Sequence, residues 1–191
     1  MGFSRAELDA FRDRTVPDLL PDPLNLLFAG INPSLWTAAT GAHFARPGNR
    51  FYPALYRAGI TSTLIDARDG YSESDLAQLT SKGIGNSNIC PRATVRADEL
   101  TREELLAGAD RLNRLVTERQ PRVVAVLGIT AYRSAFTVPK AQLGQQESPW
   151  PGVQLWVAPN PSGLNAHATV DDLAAAYREI AEAAGIVVKR P

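Results

Sequence analysis

Apolar residues cluster in short runs separated by longer amphipathic stretches. "LNLLFAGI" (24–31) is a nearly continuous apolar run, broken only by Asn25, up to Gly30, the form of a strand buried on both faces of a sheet. "VVAVLGI" (123–129) repeats that form. "VQLWVAP" (153–159) is a third such run, stopped by Pro159, and "GIGNSNIC" (83–90) is a weaker fourth. Helical periodicity lies between them. "NRFYPALYRAG" (49–59) places apolar residues at 51, 55 and 58 and ends at Gly59. The stretch 101–121 opens with the capping-box pair Thr101 and Glu104, carries Leu105, Leu112, Leu115 and Val116 on one face, and ends at Pro121. The stretch 169–185 begins with Thr169 and two acids and closes at Gly185. Short helices are expected over 130–136 and 4–14. Strands alternating with helices predict a three-layer α/β/α domain on a mostly parallel sheet.

In such sheets, ligands bind beyond the C-terminal ends of the strands. That rule selects "GINPS" after the first strand, "NSNICPR" after the strand at 83–90, and "NPSGLNAH" after the last. The first opens the most unusual stretch of the chain, 30–51, read as a long loop of small and aromatic residues. Gly30 permits close backbone approach, and the Asn32 amide both donates and accepts. Asn32 also suits a plain turn before proline. Phe44 fits either a core aromatic or a platform on which a planar ligand stacks. His43, Arg46 and Arg50 fit either a solvated face or a phosphate contact. In the last segment, Leu164 follows Gly163 in a polar turn. It either tucks under the next helix or serves as an apolar wedge that fills the gap left by an extruded nucleotide.

Composition narrows these options. The 191 residues suffice for one domain, taken as 1–191 with an N-terminal extension over 1–21 and a core over about 22–188. Lys plus Arg equals Asp plus Glu, so an all-over basic coat is excluded while a local basic patch is not. One cysteine and two histidines, none in zinc-binding spacing, lead us to expect no metal. No Gly-rich phosphate loop is present, and no cofactor is expected. The N-terminus does not read as a signal peptide and no apolar run has membrane-span length, so no membrane contact and a cytoplasmic location are the expectation.

"GINPSLWTAATGAHFARPGNRFYPALYRAGI" and "PNPSGLNAH", in this order and strand-loop setting, resemble the two signature regions of the mismatch-specific uracil-DNA glycosylase and thymine-DNA glycosylase family. The resemblance extends from about residue 22 to 184, including "RATVRADEL" and "VLGITAY". It implies a central four-stranded parallel sheet flanked by helices. It also implies a monofunctional enzyme that works without metal. Such an enzyme flips a base from double-stranded DNA and cuts its N-glycosidic bond, starting base excision repair. The implied substrate is uracil mispaired with guanine, with thymine and ethenocytosine as further candidates. A monomer acting on DNA of the nucleoid is implied. By position, Asn32 resembles the asparagine that places the attacking water. Gly30 and Ile31 would border the flipped base, with Ile31 offering backbone groups, and Phe44 would stack on it. Asn88 would face the pocket, either bonding uracil or satisfying a strand end. Asn160 closes the pocket and begins the intercalation turn, which includes Ser162, Gly163, Leu164 and Asn165. Leu164 would be the wedge, and His167 would meet a phosphate or enter the helix. An arginine that bacterial relatives often carry after the wedge is replaced here by Asn165, Ala166 and His167. Arg92 and Arg96 are further candidates for phosphate neutralisation. Two other readings stay open: a non-catalytic mismatch or lesion binder on the same fold, and an α/β enzyme acting on free nucleotides.

Overall fold

The computed structural model describes residues 2–163, 165 and 168–189. Leu164, Ala166 and His167 lie outside them. The chain runs through α1 (Arg5–Asp9), β1 (Leu26–Gly30), α2 (Leu35–Thr40), α3 (Phe51–Arg57), α4 (Glu73–Thr80), β2 (Ile84–Asn88), α5 (Arg102–Arg119), β3 (Val123–Leu127), α6 (Ile129–Ala135), β4 (Gly144–Gln146), β5 (Gln154–Ala158) and α7 (Val170–Ala183). The strands form one sheet in the order β2-β1-β3-β5-β4. β2, β1, β3 and β5 are parallel, which matches the four expected. The fifth, β4, pairs antiparallel with β5 and corrects the strand count. Its sequence, Gly-Gln-Gln, has neither β-propensity nor apolar alternation. Only its place at the sheet edge makes it a strand.

β1, β2 and β3 are buried at every position, as double coverage requires. One core joins Leu26, Phe28 and Val123 to Phe51, Leu55, Leu173 and Tyr177, under α3 and α7. The other joins Leu27, Val124 and Leu155 to Leu112, Val116 and Tyr132, under α5 and α6. Among the described residues, no helix is long and apolar enough to cross a membrane.

Three further differences from the sequence reading have local causes. The stretch 30–51 is not one long loop. Ser34 caps α2 by accepting from the Thr37 N–H, and Gly41 ends it in the left-handed region at φ 71°. α4 was not expected; it is built by the Ser72–Asp75 capping box and buries only Leu79. The N-terminal helix stops at Asp9, well short of residue 14, and a turn over 10–13 leads from it into an extended strap. Thr15 bridges to Arg92 and Leu19 to Asn86, both antiparallel, so the strap covers the outer edge of β2.

Candidate active site

β1 delivers Gly30, Ile31 and Asn32 to the C-terminal edge of the sheet, and Pro33 with the Ser34 cap turns the chain at once into α2. Beside it, the loop after β2 runs in register: Thr94 bridges to Ser34, and its N–H donates to the Pro33 carbonyl at 3.2 Å. The loop after β5 closes the third side. Together these loops line a cavity of about 110 Å³, room for several waters or a small planar ring. Gly30, Ile31, Asn32, Phe44, Asn88, Asn160 and Ser162 all line it. Thus residues from three separate segments, singled out from sequence, converge. Gly163 and Asn165 lie on the adjoining turn and do not line the cavity. Leu164 and His167 fall outside the described residues.

Asn32 is held in one orientation. Its Nδ2 donates to Thr94 Oγ1 at 2.7 Å and lies 3.1 Å from the carbonyls of Arg92 and Pro33. Thr94 Oγ1 in turn donates to the Arg96 carbonyl at 2.7 Å, so towards Asn32 it can only accept. That polarity fixes which end of the amide is nitrogen. Asn32 Oδ1 has no donor among the described residues and is left as an acceptor in the cavity.

Phe44 lies between the core and the cavity. One face of its ring stacks on Phe51, centroids 4.0 Å apart at 27°, and this joins it to the core. The same ring borders the cavity. Its backbone sits at φ 57°, an uncommon state for a bulky residue that local packing must hold. Gly30 is required here for space. A Cβ on it would lie 2.7 Å from Asn88 Oδ1 and 3.1 Å from the Phe44 ring.

The loop after β5 is bound to the segment before α3. The Arg50 N–H donates to the Pro161 carbonyl at 2.9 Å. Its guanidinium donates to the carbonyls of Ser162 at 2.7 Å and Asn165 at 2.6 Å, and also to that of Ala168. A Cβ on Gly163 would come within 2.7 Å of the Gly48 carbonyl, so these two loops meet backbone to backbone. Asn160 starts the turn by accepting from the Ser162 N–H, and its own carbonyl accepts from Asn165 Nδ2.

Several basic residues have other duties than phosphate contact. Arg50 is spent on loop carbonyls. His43 is 2% exposed, with both ring nitrogens engaged, and burial holds its pKa below the usual histidine value. Arg92 pairs with Glu104 and Asp13, locking the strap to α5. It holds the Glu104 carboxyl at about 2, and it is not a free phosphate ligand. Among the described residues, Arg96 pairs only with the exposed Asp98, a weak tie that a phosphate can replace. Arg46 is exposed on the cavity rim, with no partner for its guanidinium among the described residues. Sequence reasoning missed Thr94, because its role depends on a neighbour from another strand.

No described residue lining the cavity is a carboxylate. Among the described residues, the one histidine beside it, His43, has no ring nitrogen to spare. The site can therefore orient water through Asn32 and cradle a planar polar ring, but it has no strong proton acceptor.

The solution NMR structure of a candidate uracil DNA glycosylase from Methanosarcina acetivorans superposes with a TM-score of 0.59, at 19% identity over 88% of this chain and 98% of that one. At that identity the likeness concerns the fold. The sequence model of the uracil DNA glycosylase superfamily matches residues 17–182, which takes in every loop of the cavity and the strap from Pro17 onward. With this match over most of its length, the chain belongs to the uracil DNA glycosylase superfamily.

Proposed function

We propose that the chain is a monofunctional DNA glycosylase that draws uracil, mispaired with guanine, out of the duplex into this cavity and hydrolyses its N-glycosidic bond. The observation that carries the reading is the fixed Asn32 amide, whose oxygen has no donor among the described residues, in a cavity shared with Phe44 and Asn88. A water donating to Asn32 Oδ1 is held for attack on C1′. The C1′–N1 bond breaks with its electron pair on the base, water oxygen bonds to C1′, and the water's proton passes to solvent or to the departing base. With no carboxylate to remove that proton, most of the acceleration falls to placement of the water and to stabilisation of the anionic base by nearby dipoles. The Phe44 ring offers the stacking face, and Asn88 offers a polar edge. Arg46 and Arg96 sit where the DNA backbone would approach. The Arg50-bound turn, carrying Ser162, Gly163 and Asn165, would meet the duplex, and Leu164, outside the described residues, is proposed as the wedge. The enzyme acts as a monomer on DNA.

A duplex carrying one G·U pair tests the reading. Wild-type protein is expected to produce alkali-labile abasic sites. Asn32→Ala abolishes their formation while duplex binding stays near wild type. Binding of the G·U duplex without abasic sites would instead identify a mismatch sensor. Parallel A·U, G·T and single-stranded substrates define the base range.

A further inference from the structure

The strap and His43 are not needed to bind water or DNA in this reading, yet they form a continuous hydrogen-bonded path to the cavity. The Pro17 carbonyl lies 3.0 Å from His43 Nε2. A carbonyl only accepts, so Nε2 carries the ring hydrogen. The neutral imidazole then has an acceptor at Nδ1, which lies 3.3 Å from Asn88 Nδ2. Asn88 must therefore turn its NH2 towards His43. Its Oδ1 stands over Gly30, 2.7 Å from where a Cβ would be, at the cavity wall. The rest of the path is equally fixed. The His43 N–H donates to the Tyr71 hydroxyl, and the His43 carbonyl accepts from Tyr52. Arg111 donates to the Asn88 carbonyl at 3.0 Å and pairs with Asp18, the strap residue after Pro17.

We propose that His43, set by the Pro17 carbonyl, is a positioning residue that fixes the Asn88 amide with its oxygen towards the bound base, and so selects pyrimidines that carry a hydrogen on N3. The inference rests on the glycosylase reading above. Uracil has an N3–H donor for Asn88 Oδ1. Cytosine has a lone pair there and would face another acceptor. An unlocked amide could turn over and accommodate cytosine, and the lock removes that choice. Discrimination of this kind arises because a wrong base leaves a buried polar group unpaired.

The test uses single-turnover release of 5-fluorouracil and 5-fluorocytosine, each opposite guanine, since the fluorine makes both bases better leaving groups. Wild type should release fluorouracil and discriminate strongly against fluorocytosine. His43→Phe keeps the ring but removes the lock, and should lower the fluorouracil-to-fluorocytosine rate ratio at least tenfold. His43→Asn, whose amide oxygen reaches the place of Nδ1, should keep the ratio within about threefold of wild type. In the Asn88→Ala background, His43→Phe should change the ratio no further, because the group it positions is gone. An unchanged ratio in His43→Phe overturns the proposal. So does an equal loss in the Asn88→Ala background, or a His43→Asn variant that behaves like Phe while melting as wild type does. Absence of fluorouracil release by the wild type would refute the glycosylase reading itself and is seen before any variant is made.

Discussion

Thr94→Val separates orientation of the water from its mere presence. The substitution keeps the shape of a buried side chain and removes one oxygen, which accepts from Asn32 Nδ2 at 2.7 Å and donates to the Arg96 carbonyl at 2.7 Å. Asn32 would retain the Arg92 and Pro33 carbonyls, both at 3.1 Å, so its amide is loosened rather than freed. A neutral hydrogen bond contributes about 0.5–1.5 kcal/mol net, and a buried donor left short of a partner costs about 1–3 kcal/mol. If about 1.5–2 kcal/mol of this appears in the barrier, cleavage slows by roughly 10- to 30-fold. The loss should be smaller than that of Asn32→Ala, which removes the proposed acceptor of the water outright. The assay is single-turnover cleavage of a G·U duplex with enzyme in excess, alongside fluorescence anisotropy for binding and thermal melting for the fold. Binding should stay within about twofold of wild type, because Thr94 is buried beneath the cavity and away from the DNA. Thr94→Ser keeps the oxygen and should cut at close to the wild-type rate. The reasoning fails if Thr94→Val cuts as fast as wild type. It also fails if Thr94→Val slows any residual activity of Asn32→Ala by the same factor, since then the hydroxyl acts independently of the amide.

Two other perturbations address the frame of the site. Arg50→Lys keeps the charge but cannot reach three carbonyls at once. It should leave the Asn32–Thr94 side of the cavity intact and loosen the side formed by the turn over 160–163, so a 2-aminopurine placed beside the target base should report at least threefold less flipping at equal DNA occupancy; unchanged flipping would discard the clamp. For pH, His43 is held below its ordinary value by burial, only partly opposed by the Pro17 carbonyl and Asp18, with Arg111 adding to the depression. Between its folded-state pKa and the unfolded value of about 6.5, the unfolded chain binds more protons, so stability falls as pH drops through that window. Urea midpoints should decline below pH 6.5 more steeply for wild type than for His43→Asn, and parallel curves would refute the assignment.

The sheet and the three loops of the site were legible because their signals are local. The short apolar runs at 24–31 and 123–129, ended by glycine, read as strands covered on both faces, and Gly30-Ile31-Asn32-Pro33 then leaves the first of them at the sheet's C-terminal edge. The Thr101–Glu104 pair marked the start of α5 to the residue. What escaped is non-local. β4 is a strand only because β5 offers it an edge, and its polar sequence carries no trace of that. Arg50 and Arg92 look like phosphate ligands in a sequence, where a basic side chain near a loop shows its charge and not its partner. The structure gives Arg50 to backbone carbonyls and Arg92 to two carboxylates.

The same partners explain how a site made of loops can hold catalytic geometry. Beyond the last ladder bond, a loop's carbonyls lose their sheet partners and must find others or stay wet and mobile. Here long or amidic side chains satisfy them. Asn32 reaches the Arg92 carbonyl, Arg50 reaches those of Ser162 and Asn165, Arg111 reaches that of Asn88, and Arg119 reaches that of Pro21. Each bond joins segments far apart in the chain, so each restrains two backbones at once. A side chain that ends on a carbonyl needs no particular residue type opposite it. Such contacts therefore leave no pairwise pattern in a sequence, although they decide where the loops sit. It follows that, where the carbonyl-bearing residue has no side-chain duty of its own, its substitution should be tolerated better than substitution of the donor. Ser162→Ala keeps the carbonyl that Arg50 binds, whereas Arg50 has no substitute with the same reach.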